Sequence, residues 1–338
     1  MKAALIDPIG IDNLKIVDME QPDPGPGEVL VAIKYASLNY RDFLAANGGY
    51  GRMQKQEKLI PLSDGAGEVV AIGEGVRGWK LGDKAMACFF PNWQAGPLRL
   101  ECVTADLGGM NDGVAVEYRI FKHDALVKIP PQMDLRDAAT LTCAGATAWN
   151  AVIETGKAGP GQTVLVQGSG GVSLFALQFA VAAGAEVIAT VSSEEKAELA
   201  RKLGATHTVN YREDEEWGKT VKKITEGKGV DHIVEIGGAA TFKQSMLSSG
   251  LGASIYMIGV VTGPRTELNI PIVAMSGTKI EGVSAGSRAS AQRMVDAVAH
   301  HGIKPVIDDS DFTLDTLKDA LVYLNDGKHT GKVVLPVG

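Results

Sequence analysis

The sequence predicts an α/β chain in two parts, a β-rich first part followed by a doubly wound parallel sheet. Three observations point there. The 338 residues exceed the roughly 250–300 at which a single core stops growing. Near Gly161 the rhythm changes from short β-branched runs to alternating strand-like and helix-like segments. A glycine turn, Gly168 to Val172, stands between the first such strand and helix.

In the first third, Val29-Leu-Val-Ala-Ile33, Gly67-Glu-Val-Val-Ala-Ile72 and Lys84-Ala-Met-Ala-Cys88 read as strands. Turn signals such as Pro22-Asp-Pro-Gly-Pro-Gly27 and Gly73-Glu-Gly75 separate them. No sustained helical period accompanies them, so this part is expected to be all β. Beyond Gly161 the predicted series is strand Thr163–Gln167, a mostly apolar helix Val172–Ala183 and strand Glu186–Val191. Helix Glu194–Leu203, strand His207–Asn210, helix Glu215–Thr225, strand Val230–Glu235, helix Ala240–Ser248 and strand Ser254–Ile258 follow. Alternating units with buried strands make a parallel sheet covered on both faces. The last segment reads as a helix, an extended piece, a second helix and a closing strand, Gly331-Lys-Val-Val-Leu335. It is expected to return to the first part. The predicted division is therefore 1–125, 126–284 and 285–338.

Composition is that of an ordinary globular protein, 45% hydrophobic and 22% charged. A net charge of −7 argues against nucleic acid as a partner, because phosphate backbones demand clustered Lys and Arg. Cys88, Cys102 and Cys143 are too scattered for a disulfide framework or a metal cluster and fit free thiols in a cytoplasmic protein. Gly171 to Val191 carries one charge, Glu186, over a length that suits a membrane span. The preceding glycine loop and Gly184 favour a buried helix and strand instead, so no membrane partner is expected.

Gly168, Ser169, Gly170, Gly171 and Val172 lie where a Rossmann dinucleotide fold needs them, after a β-branched strand and at the start of a helix. Gly168 permits the turn, Gly170 admits a pyrophosphate, and the helix N-terminus offers N–H groups and the positive end of its dipole. An ordinary βα turn is the competing reading; the ordered elements that follow favour the nucleotide. NAD-binding folds place an acid about twenty residues on, to hold the ribose 2′-hydroxyl. Here that position falls on Val191, followed by Ser192 and Ser193, with Lys196 near. Hydroxyls and a lysine suit a 2′-phosphate, so NADPH is expected in preference to NADH. A solvated helix lysine remains the alternative for Lys196.

Together with Gly27-Glu-Val-Leu-Val31, Ala36-Ser-Leu-Asn-Tyr-Arg-Asp42, Asp64-Gly-Ala-Gly-Glu-Val-Val70, Cys143-Ala-Gly-Ala-Thr-Ala-Trp149 and Asn210-Tyr211, these residues give a resemblance that runs nearly end to end. The chain resembles the medium-chain dehydrogenase/reductase superfamily, in particular its zinc-lacking, quinone-oxidoreductase-like branch. The resemblance implies a GroES-like β domain built from both chain ends, an inserted Rossmann domain of strand order 3-2-1-4-5-6, an active site in the interdomain cleft, and a homodimer. Where the family's zinc enzymes place Cys, His and Cys ligands, this chain has Asn39, Ser63 with Asp64, and Cys143. A thiol, an amide and a hydroxyl do not make a catalytic zinc site, so no metal is expected.

The resemblance also implies roles for single residues. Asn39 would lie beside the nicotinamide, a turn residue being the alternative. Tyr211 would join Lys196 at the 2′-phosphate. Thr147, Gly259 and Val260 would touch the nicotinamide end, Gly237 would let backbone approach the cofactor, and Ser287 with Arg288 would close over it. Without a Lewis acid to stabilise an alkoxide, hydride transfer to a quinone or an α,β-unsaturated carbonyl is favoured over alcohol oxidation. Tyr40 and Tyr50 are the candidate proton donors, and Arg41 with Asp42 reads as a structural ion pair. An alcohol or aldehyde dehydrogenase and a nucleotide-binding protein without turnover are the rival functions.

Overall fold

A computed structural model describes residues Met1–Gly338. The chain divides into two compact units, one of Met1–Ala146 with Ala285–Gly338 and one of Thr147–Ser284. The first boundary thus falls after Ala146 rather than after residue 125. The strand Leu126–Lys128 pairs with Lys84–Ala87, and the helix Leu135–Ala138 packs on strands of the first unit. Residues 126–146 therefore complete that unit's sheet and its cover.

The first unit begins with β1 (Lys2–Ile6) and β2 (Leu14–Asp18), an antiparallel pair. β3 (Glu28–Ser37), β4 (Asp64–Ile72), β5 (Lys84–Ala87), β6 (Tyr118–Lys122) and β7 (Leu126–Lys128) form the larger antiparallel sheet. The ladder puts Ser37 opposite Asp64. The inward residues of β3, Val29, Val31 and Ile33, join Leu38, Leu59, Leu62 and Leu126 in one apolar core. Each such side chain removed from water contributes about 1.5–3 kcal/mol.

The second unit carries β8 (Thr163–Gln167), β9 (Glu186–Val191), β10 (His207–Asn210), β11 (Val230–Glu235), β12 (Ser249–Met257) and β13 (Lys279–Gly282). They form one parallel sheet of order β10-β9-β8-β11-β12-β13, the expected 3-2-1-4-5-6. Val164, Leu165 and Val166 of the central strand are wholly buried, as a strand covered on both faces requires. The apolar stretch after the glycine turn is the helix Gly171–Ala182, then Gly184 at φ +84°, then β9. No helix of the chain is long and apolar enough to cross a membrane.

After helices Arg288–His301 and Leu317–Asn325 the chain closes with β14 (Val334–Pro336), which pairs antiparallel with β3 and sets Val334 opposite Ser37. The closing strand starts later than the sequence pattern indicates. Gly331 and Lys332 precede it, and Lys332 is turned into the protein instead.

Candidate active site and cofactor cradle

In the first unit, strand register assembles a cluster of charges. β3 ends at Ser37 and leads through Leu38 and Asn39 into the helix Tyr40–Ala46. β4 opens at Asp64, across from Ser37. The C-terminal segment arrives alongside, Leu38 N–H donating to Val333 O at 3.0 Å. Lys332, 3% exposed, thereby directs its ammonium into the junction. It donates to Leu38 O at 2.7 Å, to Asn39 Oδ1, and to Asp64 Oδ2 at 3.3 Å. Asp64 is fully buried and also accepts from Ser63 Oγ at 2.7 Å. Ser37 Oγ lies 3.3 Å from the same carboxylate and donates to Ala139 O at 2.9 Å.

This arrangement fixes the Asn39 amide. Its oxygen faces a group that can only donate, so Nδ2 is the donor end; one of its two N–H groups reaches Asp42 Oδ2 at 3.4 Å and the other is left for a ligand. Asp42 holds the start of the helix by accepting the Asn39 N–H at 2.8 Å. Arg41 bonds Leu107 O at 2.7 Å, pairs with Asp42 at 3.3 Å and with Asp106, and lies over the rings of Phe89 and Tyr50. The expected structural ion pair is therefore present, extended by Asp106.

Burial pushes the Asp42 carboxyl up to about 6, against the pull of Arg41. Burial, then the Asp64 charge, raises the Cys143 thiol far above its ordinary value, which keeps it protonated. Cys143 sits on a π-helical turn, Leu141–Gly145, a form often found at functional sites. Burial also raises the Tyr50 hydroxyl, opposed by Arg41. Tyr40 packs against the apolar core, whereas Tyr50 stands beside Arg41, so the two candidate donors have different surroundings.

The zinc that some family members carry can be tested against these donors. The site offers an amide, a hydroxyl, one thiol and the Asp64 carboxylate, and that carboxylate is already taken by the Lys332 ammonium and Ser63. No three His, Cys, Asp or Glu side chains are placed to hold a metal ion. Catalytic zinc takes three ligands drawn from thiolate, imidazole and carboxylate, and a second cation beside Lys332 would be repelled. The residues do not fit the metal.

In the second unit the cradle is mainly main chain. Gly168 adopts φ +74°, which only glycine enters readily, and its N–H donates to Thr190 O at 2.7 Å. A Cβ at Gly170 would meet nothing within 4 Å, so the backbone there is open to a ligand. Gly170 caps the helix Gly171–Ala182 without a side chain, which leaves the N–H groups at Gly171 and Val172 aimed at an anion. Ser173 is fully buried and bonds Gln167 O, holding helix to strand. Ser169, at 7% exposure, lies in the turn.

At the end of β9, Val191 is buried and its carbonyl accepts the Tyr211 N–H at 3.0 Å. That bond sets Tyr211, 40% exposed, next to Ser192. Ser193 has a structural use, capping the helix Glu194–Lys202 by accepting the Lys196 N–H. Glu194 pairs with Arg201 at the surface, and Lys196 is half-buried. Gly237 N–H and Gly238 N–H both donate to Glu235, and Gly259 N–H donates to the Glu235 carbonyl at 3.3 Å. Val260 follows at 44% exposure, and Thr147, the first residue of the unit, is buried. Ser287 and Arg288 belong instead to the first unit. Ser287 caps the helix Arg288–His301, and Arg288 bonds Gln94 Oε1 at 3.0 Å.

Two residues central to these sites, Lys332 and Glu235, are absent from the sequence-derived candidates. Each carried a signal: a charged residue inside or ending an otherwise apolar strand pattern, a placement rarely tolerated unless paired.

A phosphate cradle at the C-terminal ends of a 3-2-1-4-5-6 sheet defines a dinucleotide-binding fold, and its pairing in one chain with an antiparallel sheet unit narrows the class to two-domain dehydrogenases. The comparisons with known proteins agree. Residues 25–131 match the alcohol dehydrogenase GroES-like domain, and residues 171–300 match the zinc-binding dehydrogenase domain. A zinc-type alcohol dehydrogenase-like protein of Schizosaccharomyces pombe is 41% identical, covering 97% of this chain and 96% of its own. A chloroplastic quinone-oxidoreductase of Triphysaria versicolor is 30% identical over 96% and 94%. The crystal structure of an NAD-dependent alcohol dehydrogenase superposes with a TM-score of 0.91 at 31% identity, covering all of both chains. The chain belongs to the medium-chain dehydrogenase/reductase superfamily and is one of its oxidoreductases, a family that binds NAD(P).

Proposed function

We propose that the protein is a zinc-independent, NADPH-dependent reductase that delivers hydride to a quinone or to the β-carbon of an α,β-unsaturated carbonyl. Lys332 carries this reading. Its ammonium, held by Asn39 and Asp64, already supplies the positive charge of the site and orients the Asn39 amide. Reduced nicotinamide, when bound, supplies the hydride. Asn39 Nδ2 donates to the acceptor oxygen, where negative charge develops. Tyr50, a phenol protonated at neutral pH, delivers the proton that completes the two-electron reduction and is reprotonated from solvent.

Preference for NADPH rests on Val191 standing where an acid would repel a 2′-phosphate, with Ser192, Lys196 and Tyr211 around it. The quinone-oxidoreductase among the relatives supports the substrate class. The alcohol dehydrogenases among them support oxidation of simple alcohols, for which this site lacks a Lewis acid. Titration with NADPH and NADH, turnover on quinones, enones and alcohols, and metal content after dialysis test the proposal together. Tighter NADPH binding, enone or quinone reduction and no retained zinc are expected. One equivalent of tightly held zinc with alcohol turnover would overturn it, and binding without any turnover would favour a non-catalytic nucleotide binder.

We also propose a cytoplasmic homodimer. β13 ends the parallel sheet, and Ile270, Ile272 and Met275 in the helix before it are exposed, which suits a second copy of this chain. A monomeric mass by light scattering at micromolar concentration would refute the dimer.

A further inference from the structure

We propose that Glu235 is the positioning residue of the cofactor cradle, a single buried carboxylate that ties together the three strand-to-helix turns after β8, β11 and β12. Glu235 ends β11 and is wholly buried. A buried, ionised carboxylate requires donors on every side; this one has five. Oε1 accepts from Gly237 N–H at 2.9 Å, Gly238 N–H at 3.0 Å and Thr241 Oγ1. Oε2 accepts from Gln167 Nε2 at 2.9 Å and from Ser245 Oγ.

Each partner leads to a different part of the cradle. Gln167 immediately precedes the Gly168 turn, so one oxygen anchors the chain that enters the phosphate loop. Gly237 and Gly238 form the turn after β11, and Gly238 sits at φ +88°. That turn in turn grips the segment after β12. Gly237 O accepts from Thr262 N–H at 2.7 Å and from Thr262 Oγ1 at 2.8 Å, and Ala239 N–H donates to Gly263 O at 3.0 Å. The Glu235 carbonyl adds Ile258 N–H at 3.0 Å and Gly259 N–H at 3.3 Å. The candidate contacts for the pyrophosphate and for the nicotinamide end therefore share one anchor. Glu235 touches no reacting atom; it acts by holding backbone that does.

The inference rests on these turns holding a dinucleotide, and it separates from the choice between NADPH and NADH because Glu235 is remote in sequence and contacts from Ser192, Lys196 and Tyr211. The test is fluorescence titration of the full chain with NADH and with NADPH, alongside the melting temperature of the cofactor-free protein. In Glu235→Asp, the charge is kept and the reach shortened by one methylene. A loss of affinity on the order of tenfold, equal for both cofactors, is expected, since a hydrogen bond to a charged group carries about that weight.

Thr241→Val and Ser245→Ala serve if Glu235→Asp does not fold. Each removes one hydroxyl from the same carboxylate, the first on the oxygen that holds the glycine turn and the second on the other. Thr241→Val should weaken both cofactors severalfold and more than Ser245→Ala does. Unchanged affinities in Glu235→Asp and Thr241→Val, or a lowered melting temperature with unchanged affinity, would reduce Glu235 to a fold-stabilising residue. If the unaltered protein binds neither cofactor, it is the dinucleotide reading that fails.

Discussion

In the first unit the candidate site is made of side-chain charges: Lys332 on Asp64 and Asn39, Arg41 on Asp42 and Asp106. In the second, the phosphate cradle is made of main-chain N–H groups and glycine conformations, with one carboxylate behind it. The two constructions respond differently to change. Buried charges depend on partners, and removing one strands the other at a cost of several kcal/mol. A main-chain cradle depends on backbone shape, so it tolerates side-chain loss and fails where the backbone is forced.

The largest effect should come from Lys332→Met. Asp64 would keep only hydroxyl donors, and stability in urea should fall by about 3–5 kcal/mol. Turnover should fall as well, because the Asn39 amide loses the bond that orients it. Replacing both charges, as in Lys332→Met with Asp64→Asn, should restore much of the stability while leaving turnover low. A loss under about 1 kcal/mol in the single variant would mean that the ammonium is not held as a buried ion, and the contrast between the units would collapse.

Two smaller effects sharpen the contrast from the other side. Gly168→Ala forces a Cβ into φ +74° and should cost about 1–2 kcal/mol, with weaker binding of both cofactors. Lys196→Ala leaves the cradle intact and should weaken NADPH by about tenfold, one charged contact to phosphate, with NADH unaffected. Equal loss for both cofactors in Lys196→Ala would remove the 2′-phosphate role from that lysine.

The same contrast explains what could be read from the sequence. β8 and β9 fall on the residues that the hydrophobic runs mark, because a buried parallel strand writes itself as a continuous apolar stretch; β10 and β11 also keep their expected bounds, though the edge strand β10 buries only Val209. The glycine turn was legible for the same local reason. Short helices were not: Tyr40–Ala46 and Ile270–Ser276 span about two turns, too little to show a period. β12 starts earlier than expected, at Ser249, since Gly250 and Gly252 hide its opening residues from any apolar pattern. The charge cluster was the least legible part. Lys332 and Asp64 are 268 positions apart, and Arg41 and Asp106 are 65 apart. Tertiary packing brings each pair together, the closing segment beside β3 in the first and the helix Tyr40–Ala46 against the loop at Asp106 in the second, and no local spacing encodes it.

The smallest predicted effect concerns Asp42, where the charge cluster should show itself through pH. Burial raises its carboxyl from the ordinary 3.8 to about 6, with the Asp64 charge acting the same way and Arg41, the Asn39 N–H and Lys332 opposing. Between those values the folded chain keeps a proton that the unfolded chain releases. The associated stability is therefore fully present below pH 3.8 and is lost as pH rises through about 6. Asp42→Asn cannot titrate, yet its side-chain oxygen can still accept the Asn39 N–H. Urea midpoints between pH 4 and 7 should accordingly decline less steeply with pH in the variant than in the unaltered protein. Parallel curves would show that Asp42 stays ionised throughout, held by Arg41 and Lys332 together, and the cluster would then be a fully charged network with no proton to give up.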